Sequence, residues 1–516
     1  MAPEDTPDTT GPRATRREWV GLAAIALPCL LYSMDLTVLN LAVPTLTEDL
    51  RPSAAQLLWI VDIYGFLVAG SLITMGTLGD RIGRRRLLMI GAAVFGLASL
   101  LAAFAHSAET LIAARALLGV AGATVAPSTL SLIRNMFHDP GQRTVAISVW
   151  VTSYSIGGAI GPLLGGFMLQ HFWWGSVFLL AVPVMALLLI VAPILLPEYR
   201  DPQAGRLDLA SAALSLVAVL AAIYGVKALA EHGPGLPPLL WILAGLGVGA
   251  VFIRRQGRLA DPLIDLRLFR SPGFAAALAV NVLGLFAVFG TFLFVAQYLQ
   301  LVLGLSPLEA GLWTLPSSLA FVAGSMLTPM ALRRVRPVVL MAGGLLVAAL
   351  GFLALTLVDH VSGPALLAVA AVVFATGLSP VFTLTTDLIV GAAPPERAGS
   401  AAAISETGAE FGGALGIAVL GCVATALYRG VMMDGMPAGV PPEAAEAARA
   451  TLGGALAAAR ELPGDIGQDL GRAARGAFIH AFGLAALVSA GIALGAAVLA
   501  GIVLGRRPGP EPSAAE

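Results

Sequence analysis

Fourteen long apolar runs dominate this chain, and they limit what it can fold into. Charged residues make up 12% of its 516 residues, about half the fraction usual for a soluble domain, and the mean hydropathy is +0.87. A bilayer core is crossed by about 20 apolar helical residues, so each run is predicted to be a spanning α-helix. The predicted spans, numbered in chain order, are 19–43, 54–78, 87–105, 109–132, 144–169, 173–196, 208–231, 238–255, 273–302, 308–332, 338–358, 364–391, 399–426 and 476–505. The first run is too long for a signal-peptide core, so we expect it to remain as a membrane helix.

The arginines predict the orientation of these spans. Most of the 30 lysines and arginines fall in every second loop, in stretches such as "GDRIGRRR" and "RRVRP". Cytoplasmic loops of membrane proteins carry this excess of basic residues. We therefore expect both termini in the cytoplasm, and the regular alternation supports an even number of spans.

The sequence also repeats itself. "VAGSLIT" (68–74) returns as "VAGSMLT" (322–328), and "GGAIGP" (157–162) returns in the same order as "GGALGI" (412–417). Repeated six-helix halves with a substrate site between them are common in secondary transporters. The chain is interpreted as an all-α polytopic membrane protein. Its predicted parts are a cytoplasmic N-terminal tail (1–18), a first six-helix bundle (19–196), an inserted helix pair (208–255), a second six-helix bundle (273–505) and a cytoplasmic C-terminal tail (506–516). The second bundle contains a segment on the outside of the membrane (427–475).

The loop after span 2 reads "GTLGDRIGRRR" (76–86). Gly79 and Gly83 are predicted to permit a tight turn, and Asp80 can accept hydrogen bonds at a helix end. The spacing resembles the loop signature of the major facilitator superfamily, which implies that this loop latches the two halves together in the outward-open state. The residues that match the signature are Gly76, Asp80, Arg81, Gly83 and Arg84. The corresponding loop of the second half, "MALRRVRPV", lacks an acid, so we expect the latch to be one-sided.

Span 5 carries "GGAIGPLLGG" (157–166). Small residues four apart permit close helix packing, and a proline removes one backbone hydrogen bond and bends its helix. The pattern resembles the antiporter motif of drug:proton exporters in the same superfamily. Its members are Gly157, Gly161, Pro162, Gly165 and Gly166. Asp35 within "LYSMDLTVLN" resembles the first-span motif of the fourteen-span drug:proton antiporters, which include Qac-type multidrug pumps. The resemblance implies the major facilitator fold, with two six-helix bundles plus two inserted helices.

Three charged residues are predicted at a similar depth in neighbouring spans. Asp35 lies roughly 13 Å from the outer surface, counted from Pro44 at about 1.5 Å per residue, and Asp62 and Arg115 reach comparable levels in spans 2 and 4. Charges inside a membrane are costly and usually functional. We predict that Asp35 takes up the coupling proton, with Arg115 and Asp62 beside it. Alternatively, Asp62 and Arg115 form a structural ion pair.

Two acids are predicted to line the cavity between the halves. Glu406 and Glu410 in span 13 are four residues apart and therefore share a helix face, and the repeat has Val151 and Ser155 at these positions. Such close carboxylates in a low-dielectric cavity do not readily both ionise, so protons and a lipophilic cation would compete for them. Aromatic residues at a similar depth are predicted to bind the cation, or else to contact lipid or other helices: Tyr32, Trp150, Tyr154, Phe289, Tyr298 and Phe411. Asp387, near the end of span 12, is interpreted as an ordinary interfacial acid.

The segment 427–475 is rich in Ala, Glu and Arg. It is predicted either to form one or two short amphipathic helices or to be a solvated loop.

The expected function is efflux of lipophilic, cationic compounds by alternating access, driven by the proton gradient. The transporter is expected to be a monomer in the bacterial inner membrane. The predicted partners are these cations, protons and the bilayer, with no cofactor, metal or nucleic acid. A dedicated exporter of one antibiotic or metabolite is the main alternative. An uptake symporter is disfavoured by the buried acids and the span 5 motif. A membrane-embedded enzyme is disfavoured because the six histidines form no H-E-x-x-H pattern.

Overall fold

The computed structural model describes the backbone of residues 13–50, 52, 54–200, 208–232, 235–259, 262–305, 307–359, 363–394 and 397–505. The regular structure of these ranges is helical, and a helix satisfies its own backbone hydrogen bonds inside a bilayer. The α-helices are α1 Arg16–Leu50, α2 Ala54–Ile82, α3 Arg84–Ala103, α4 Ala108–Gly122, α5 Val125–Met136, α6 Pro140–His171, α7 Ser176–Leu179, α8 Ala181–Leu195, α9 Leu209–His232, α10 Leu236–Gln256, α11 Pro272–Gln297, α12 Pro307–Ala331, α13 Pro337–Leu355, α14 Gly363–Ala392, α15 Ala398–Asp434, α16 Pro442–Ala450, α17 Leu452–Glu461 and α18 Gly464–Leu499.

Fourteen helical segments in these ranges are long and apolar enough to cross a membrane, which confirms the predicted number of spans. Helices α4 and α5 together form one of them, Ala108–Met136, and α7 and α8 another, Ser176–Leu195. Several helices extend beyond their apolar runs, because polar residues continue a helix once it leaves the hydrocarbon. Helix α15 runs to Asp434, and α18 already begins at Gly464.

The spans form two bundles with separate cores. One buried cluster is built mainly from helices α1 to α8, with Val390, Ala398 and Ala402 of the second bundle joining it, and another is built from α11 to α18. The inserted pair, α9 and α10, packs together, and α9 lies against both α2 of the first bundle and α15 of the second. We call the end of the molecule that carries Arg81, Arg143 and Arg397 the basic end.

The segment between spans 13 and 14 is helical. Helices α16 and α17 occupy part of it, and Ala448, Leu452 and Ala455 are buried against the second bundle. The hydroxyl of Tyr428 donates a hydrogen bond to the carbonyl oxygen of Ala448 over 2.9 Å. Of the two alternatives, the short amphipathic helices are therefore correct.

Glycines bring the first and fifth spans of each half into backbone contact. A methyl group at Gly157 of α6 would lie 2.2 Å from the carbonyl oxygen of Leu30 in α1. In the second half, a methyl group at Gly412 of α15, the position that matches Gly157, would lie 2.6 Å from the carbonyl oxygen of Val282 in α11. The repeated sequence thus makes the same helix contact twice. Pro162, predicted to bend α6, has a side chain outside the described part of the structure.

Gly157→Ala is expected to destabilise the protein by about 1–3 kcal/mol, because the added methyl group forces two backbones apart. Gly166→Ala is the matched control in the same helix, since a methyl group there has no neighbour within 4 Å. The apparent midpoint of thermal unfolding in detergent measures both. Equal midpoints for the two variants would contradict the close contact between α1 and α6.

Candidate transport site

An ion pair is buried inside the first bundle. Nη1 of Arg115 in α4 lies 2.7 Å from Oδ2 of Asp35 in α1, and the arginine is 2% exposed. Its Nε donates to the carbonyl oxygen of Ile60 over 3.1 Å, and its Nη2 donates to that of Val61 over 3.4 Å. The predicted meeting of Asp35 and Arg115 is confirmed. Asp62, which we expected beside them, has a side chain outside the described part of the structure.

A row of aromatic rings connects this ion pair to the second bundle. The guanidinium carbon of Arg115 lies 4.8 Å from the ring centre of Tyr64, which is 6.1 Å from the ring centre of Tyr32. The Tyr32 hydroxyl donates a hydrogen bond to Oε1 of Glu410 in α15 over 3.1 Å. A continuous set of contacts therefore runs from Asp35 in one half to Glu410 in the other.

The two glutamates lie one helical turn apart on α15, as predicted from their spacing. Both side chains are partly exposed. Within the described ranges, Glu406 forms no ion pair with a basic side chain. Its carboxylate is therefore placed to accept a proton or a positively charged compound.

Three of the six predicted aromatic residues gather next to Glu410. The ring of Tyr154 lies 5.6 Å from that of Tyr32 and 4.7 Å from that of Trp150. The indole of Trp150 donates to Oγ1 of Thr129 over 2.9 Å. Tyr32 and Trp150 are 6% and 4% exposed and belong to the core of the first bundle, and Tyr154 packs against that core.

The other three aromatic residues lie elsewhere. Tyr298 is fully buried in the core of the second bundle, where its hydroxyl donates to the carbonyl oxygen of Asp359 over 2.6 Å, so it is not brought to the glutamates. Phe411 packs into a small apolar cluster with Phe66 of α2. Phe289 is 48% exposed on α11.

At the basic end, α2 packs directly against the beginning of α15. A methyl group at Gly76 would lie 2.8 Å from the carbonyl oxygen of Gly399. Arg84 is completely buried, forms an ion pair with Asp80, and fills the space in front of Gly399. Arg81 lies next to this junction and lines a small cavity there. The two halves are therefore closed against each other at the basic end.

Gly79 and Gly83, the two glycines predicted to permit the turn after span 2, act differently from one another. Gly83 has a φ of 112° at the start of α3, a conformation that glycine adopts at little cost, so its predicted role in the turn is confirmed. Gly79 was predicted to share that role, which is wrong, because it lies within α2. A methyl group at Gly79 would lie 2.5 Å from Nη1 of Arg84, so this glycine makes room for the buried guanidinium.

An ion pair between the two halves was missed in the sequence. Nε of Arg143 in α6 lies 2.8 Å from Oδ1 of Asp387 in α14, and the Thr144 hydroxyl lies 3.3 Å from Oδ2. Nearby, Nη2 of Arg134 donates to the carbonyl oxygen of Gly391 over 3.3 Å. The second half thus contributes an acid of its own to the closed junction, outside the loop for which the one-sided latch was predicted. The signal was the position of Asp387 opposite basic residues at the same end of the first half.

Known proteins match this chain over most of its length. Residues 25–417 match the family model described as Major Facilitator Superfamily. The multidrug efflux pump LfrA of Mycolicibacterium smegmatis is 44% identical, over 95% of this chain and 97% of the relative. The methyl viologen resistance protein SmvA of Salmonella typhimurium is 38% identical, over 92% of this chain and 96% of the relative. The tetracenomycin C resistance and export protein of Streptomyces glaucescens is 33% identical, over 93% of this chain and 90% of the relative.

A solved structure supports the fold. The crystal structure of the human organic anion transporter MFSD10 superposes with a TM-score of 0.61 at 16% identity, over 94% of this chain and 99% of that chain. The two bundles, the repeated helix contacts and the matching sequences agree with one another. The protein belongs to the major facilitator superfamily and is therefore a transporter rather than an enzyme.

Proposed function

We propose that the protein exports lipophilic cations in exchange for protons by alternating access. The observation that carries this proposal is the set of contacts from Asp35 through Arg115, Tyr64 and Tyr32 to Glu410. It joins a carboxylate of one half, whose side chain is 15% exposed, to a partly exposed carboxylate of the other half. The names of the relatives support drug export, and methyl viologen is itself a cation.

The exchange follows from competition for the acids. Glu406 and Glu410 receive the cation, because a positive charge compensates carboxylates held away from water. Protonation of these acids and of Asp35 removes the attraction, and the cation leaves. When the cation binds Glu410, it displaces the Tyr32 hydroxyl. The contacts of Tyr32 with the first half then change, which couples binding in the second half to the first half.

The orientation is part of the proposal. The basic end faces the cytoplasm, because basic loops remain on that side of a membrane. Both termini then lie in the cytoplasm, the protein works as a monomer in the bacterial inner membrane, and the proton gradient is its energy source. When the halves are closed against each other at the basic end, the transport site is open to the outside of the cell, and the cation is released there.

Gradient-driven export of ethidium from reconstituted vesicles tests the proposal. Asp35→Asn is expected to abolish export yet bind ethidium in detergent like the parent protein, because Asp35 pairs with Arg115 inside the first bundle rather than with the cation. Glu410→Gln is expected to weaken binding about tenfold, because it removes a charge that faces the cation. Asp469→Asn is the control, since Asp469 pairs with Arg472 on an exposed surface. Undiminished export by Asp35→Asn would remove this residue from coupling.

A dedicated exporter of one compound is the second candidate. It is favoured by the similarity to the tetracenomycin C export protein. A panel of unrelated cations distinguishes the two candidates, because a multidrug pump exports several of them and a dedicated exporter none or one.

A further inference from the structure

The segment that follows the inserted helix pair is packed into the junction between the halves. We call residues 262–268, which lead from α10 towards α11, the linker. Leu263 is 1% exposed and Ile264 is 9% exposed. They belong to a buried cluster that includes Ile73 of α2 and Ile404 of α15. The linker therefore contacts both halves at the basic end.

Polar contacts attach the linker to the second half. The Ser400 hydroxyl of α15 donates to the carbonyl oxygen of Leu263 over 3.0 Å. Nη1 of Arg397, just before α15, lies 3.4 Å from Oδ2 of Asp265. A hydrogen bond from Arg267 lowers the pKa of Asp265, so this carboxylate is ionised near neutral pH. The backbone N–H of Leu263 also donates to Oε1 of Gln256 at the end of α10, over 2.7 Å.

The linker also faces the loop motif of the first half. A small cavity lies where the linker and the two halves meet, and residues of all three line it: Thr77, Asp80 and Arg81 of the first half, Asp265 and Leu268 of the linker, and Arg397 and Ser400 of the second half. Ile73 of α2 shares the apolar cluster of Leu263 and Ile264. Breaking the hydrogen bond and the ion pair to the second half would leave polar groups without their partners, which is costly. These polar contacts therefore attach the linker to the second half.

We propose that the linker is a third component of the gate at the basic end, and that Asp265 and Ser400 are its positioning residues. It stabilises α15 against α2 in the closed state and moves with the second half when the gate opens. This gives the inserted helices a role in alternating access, because α10 and the linker are joined through Gln256. The role holds whatever compound is transported.

Labelling of a buried reporter cysteine tests the gate. In protein with Cys29→Ala and Cys422→Ala, Ser148→Cys places a thiol at a buried position where α6 contacts α12. Asp265→Asn combined with Ser400→Ala is expected to raise the rate of reaction with a charged maleimide about five- to tenfold, since one ion pair and one hydrogen bond are lost. Asp208→Asn is the matched control, because it breaks a pair with Arg255 within the inserted helices. An unchanged rate in the double variant, or an equal rise in the control, would overturn the proposal.

Cross-linking tests which half carries the linker, and it uses variants that keep Asp265. A disulfide between Leu263→Cys and Ser400→Cys replaces the hydrogen bond from Ser400 to the linker. The cross-linked protein is therefore expected to export, at the parent's rate, a compound that the parent exports, because the two residues move together. A disulfide between Thr77→Cys and Leu268→Cys is expected to stop export, and reductant to restore it. Loss of export with the first disulfide, or full export with the second, would show that the linker does not travel with the second half. The labelling experiment needs no substrate, so its outcome is independent of the proposed cargo.

Discussion

Replacing Arg115 with methionine is expected to destabilise the protein by about 3–5 kcal/mol, because it leaves a buried carboxylate without its partner. The guanidinium is 2.7 Å from Asp35 and also donates to the carbonyl oxygens of Ile60 and Val61. Methionine fills much of the same volume but donates no hydrogen bond, so α1, α2 and α4 lose a common point of attachment.

A double-mutant cycle separates the ion pair from the packing around it. Asp35→Asn combined with Arg115→Met is expected to cost about 1–3 kcal/mol less than the sum of the two single variants, because residues in contact are energetically coupled. The apparent midpoint of thermal unfolding in detergent reports each variant. Arg472→Met is the control, because its pair with Asp469 is exposed and should change stability by less than about 1 kcal/mol. Strict additivity would mean that Asp35 and Arg115 do not act together.

The number of spans and the common level of Asp35 and Arg115 could be predicted from the sequence. A bilayer requires each span to be long, apolar and helical, so the apolar runs identify the spans directly. The helical rise then places Asp35 and Arg115 at a common level, and the structure joins them at 2.7 Å. The glycines shared by the repeated motifs likewise indicate where the spans of each half make contact.

The rotation of a helix about its own axis could not be predicted in the same way. Tyr298 and Tyr64 both have a plausible depth, but Tyr298 faces the core of the second bundle and Tyr64 faces Arg115. The hydropathy of an apolar helix is nearly uniform around its circumference, so it does not indicate which face meets a neighbour. The partner of Asp387 was missed for a related reason, since the contact depends on how the two halves are closed.

Asp387→Asn is expected to shift the protein towards opening at the basic end. The change leaves Arg143 in α6 without its acid, while Arg134 remains close by. Both partners of the ion pair are largely buried, with side-chain exposures of 16% and 17%, and loss of one partner of such a pair costs about 2 kcal/mol or more. A cost of this size, paid only in the closed state, changes the ratio of closed to open molecules by about 30-fold.

Distances between spin labels on the two halves measure this shift. His138→Cys, after α5, and Ala392→Cys, at the end of α14, are exposed positions on opposite halves at the basic end. In protein without Cys29 and Cys422, Asp387→Asn is expected to add a population at longer distance, and Asp387→Glu to retain the distribution of the parent, because it keeps the charge opposite Arg143. A distribution that is identical in all three proteins would mean that the pair does not hold the halves together. Since Gly76, Arg84 and the linker close the same end, a partial shift is expected rather than complete opening, and combining Asp387→Asn with Asp265→Asn should increase it further.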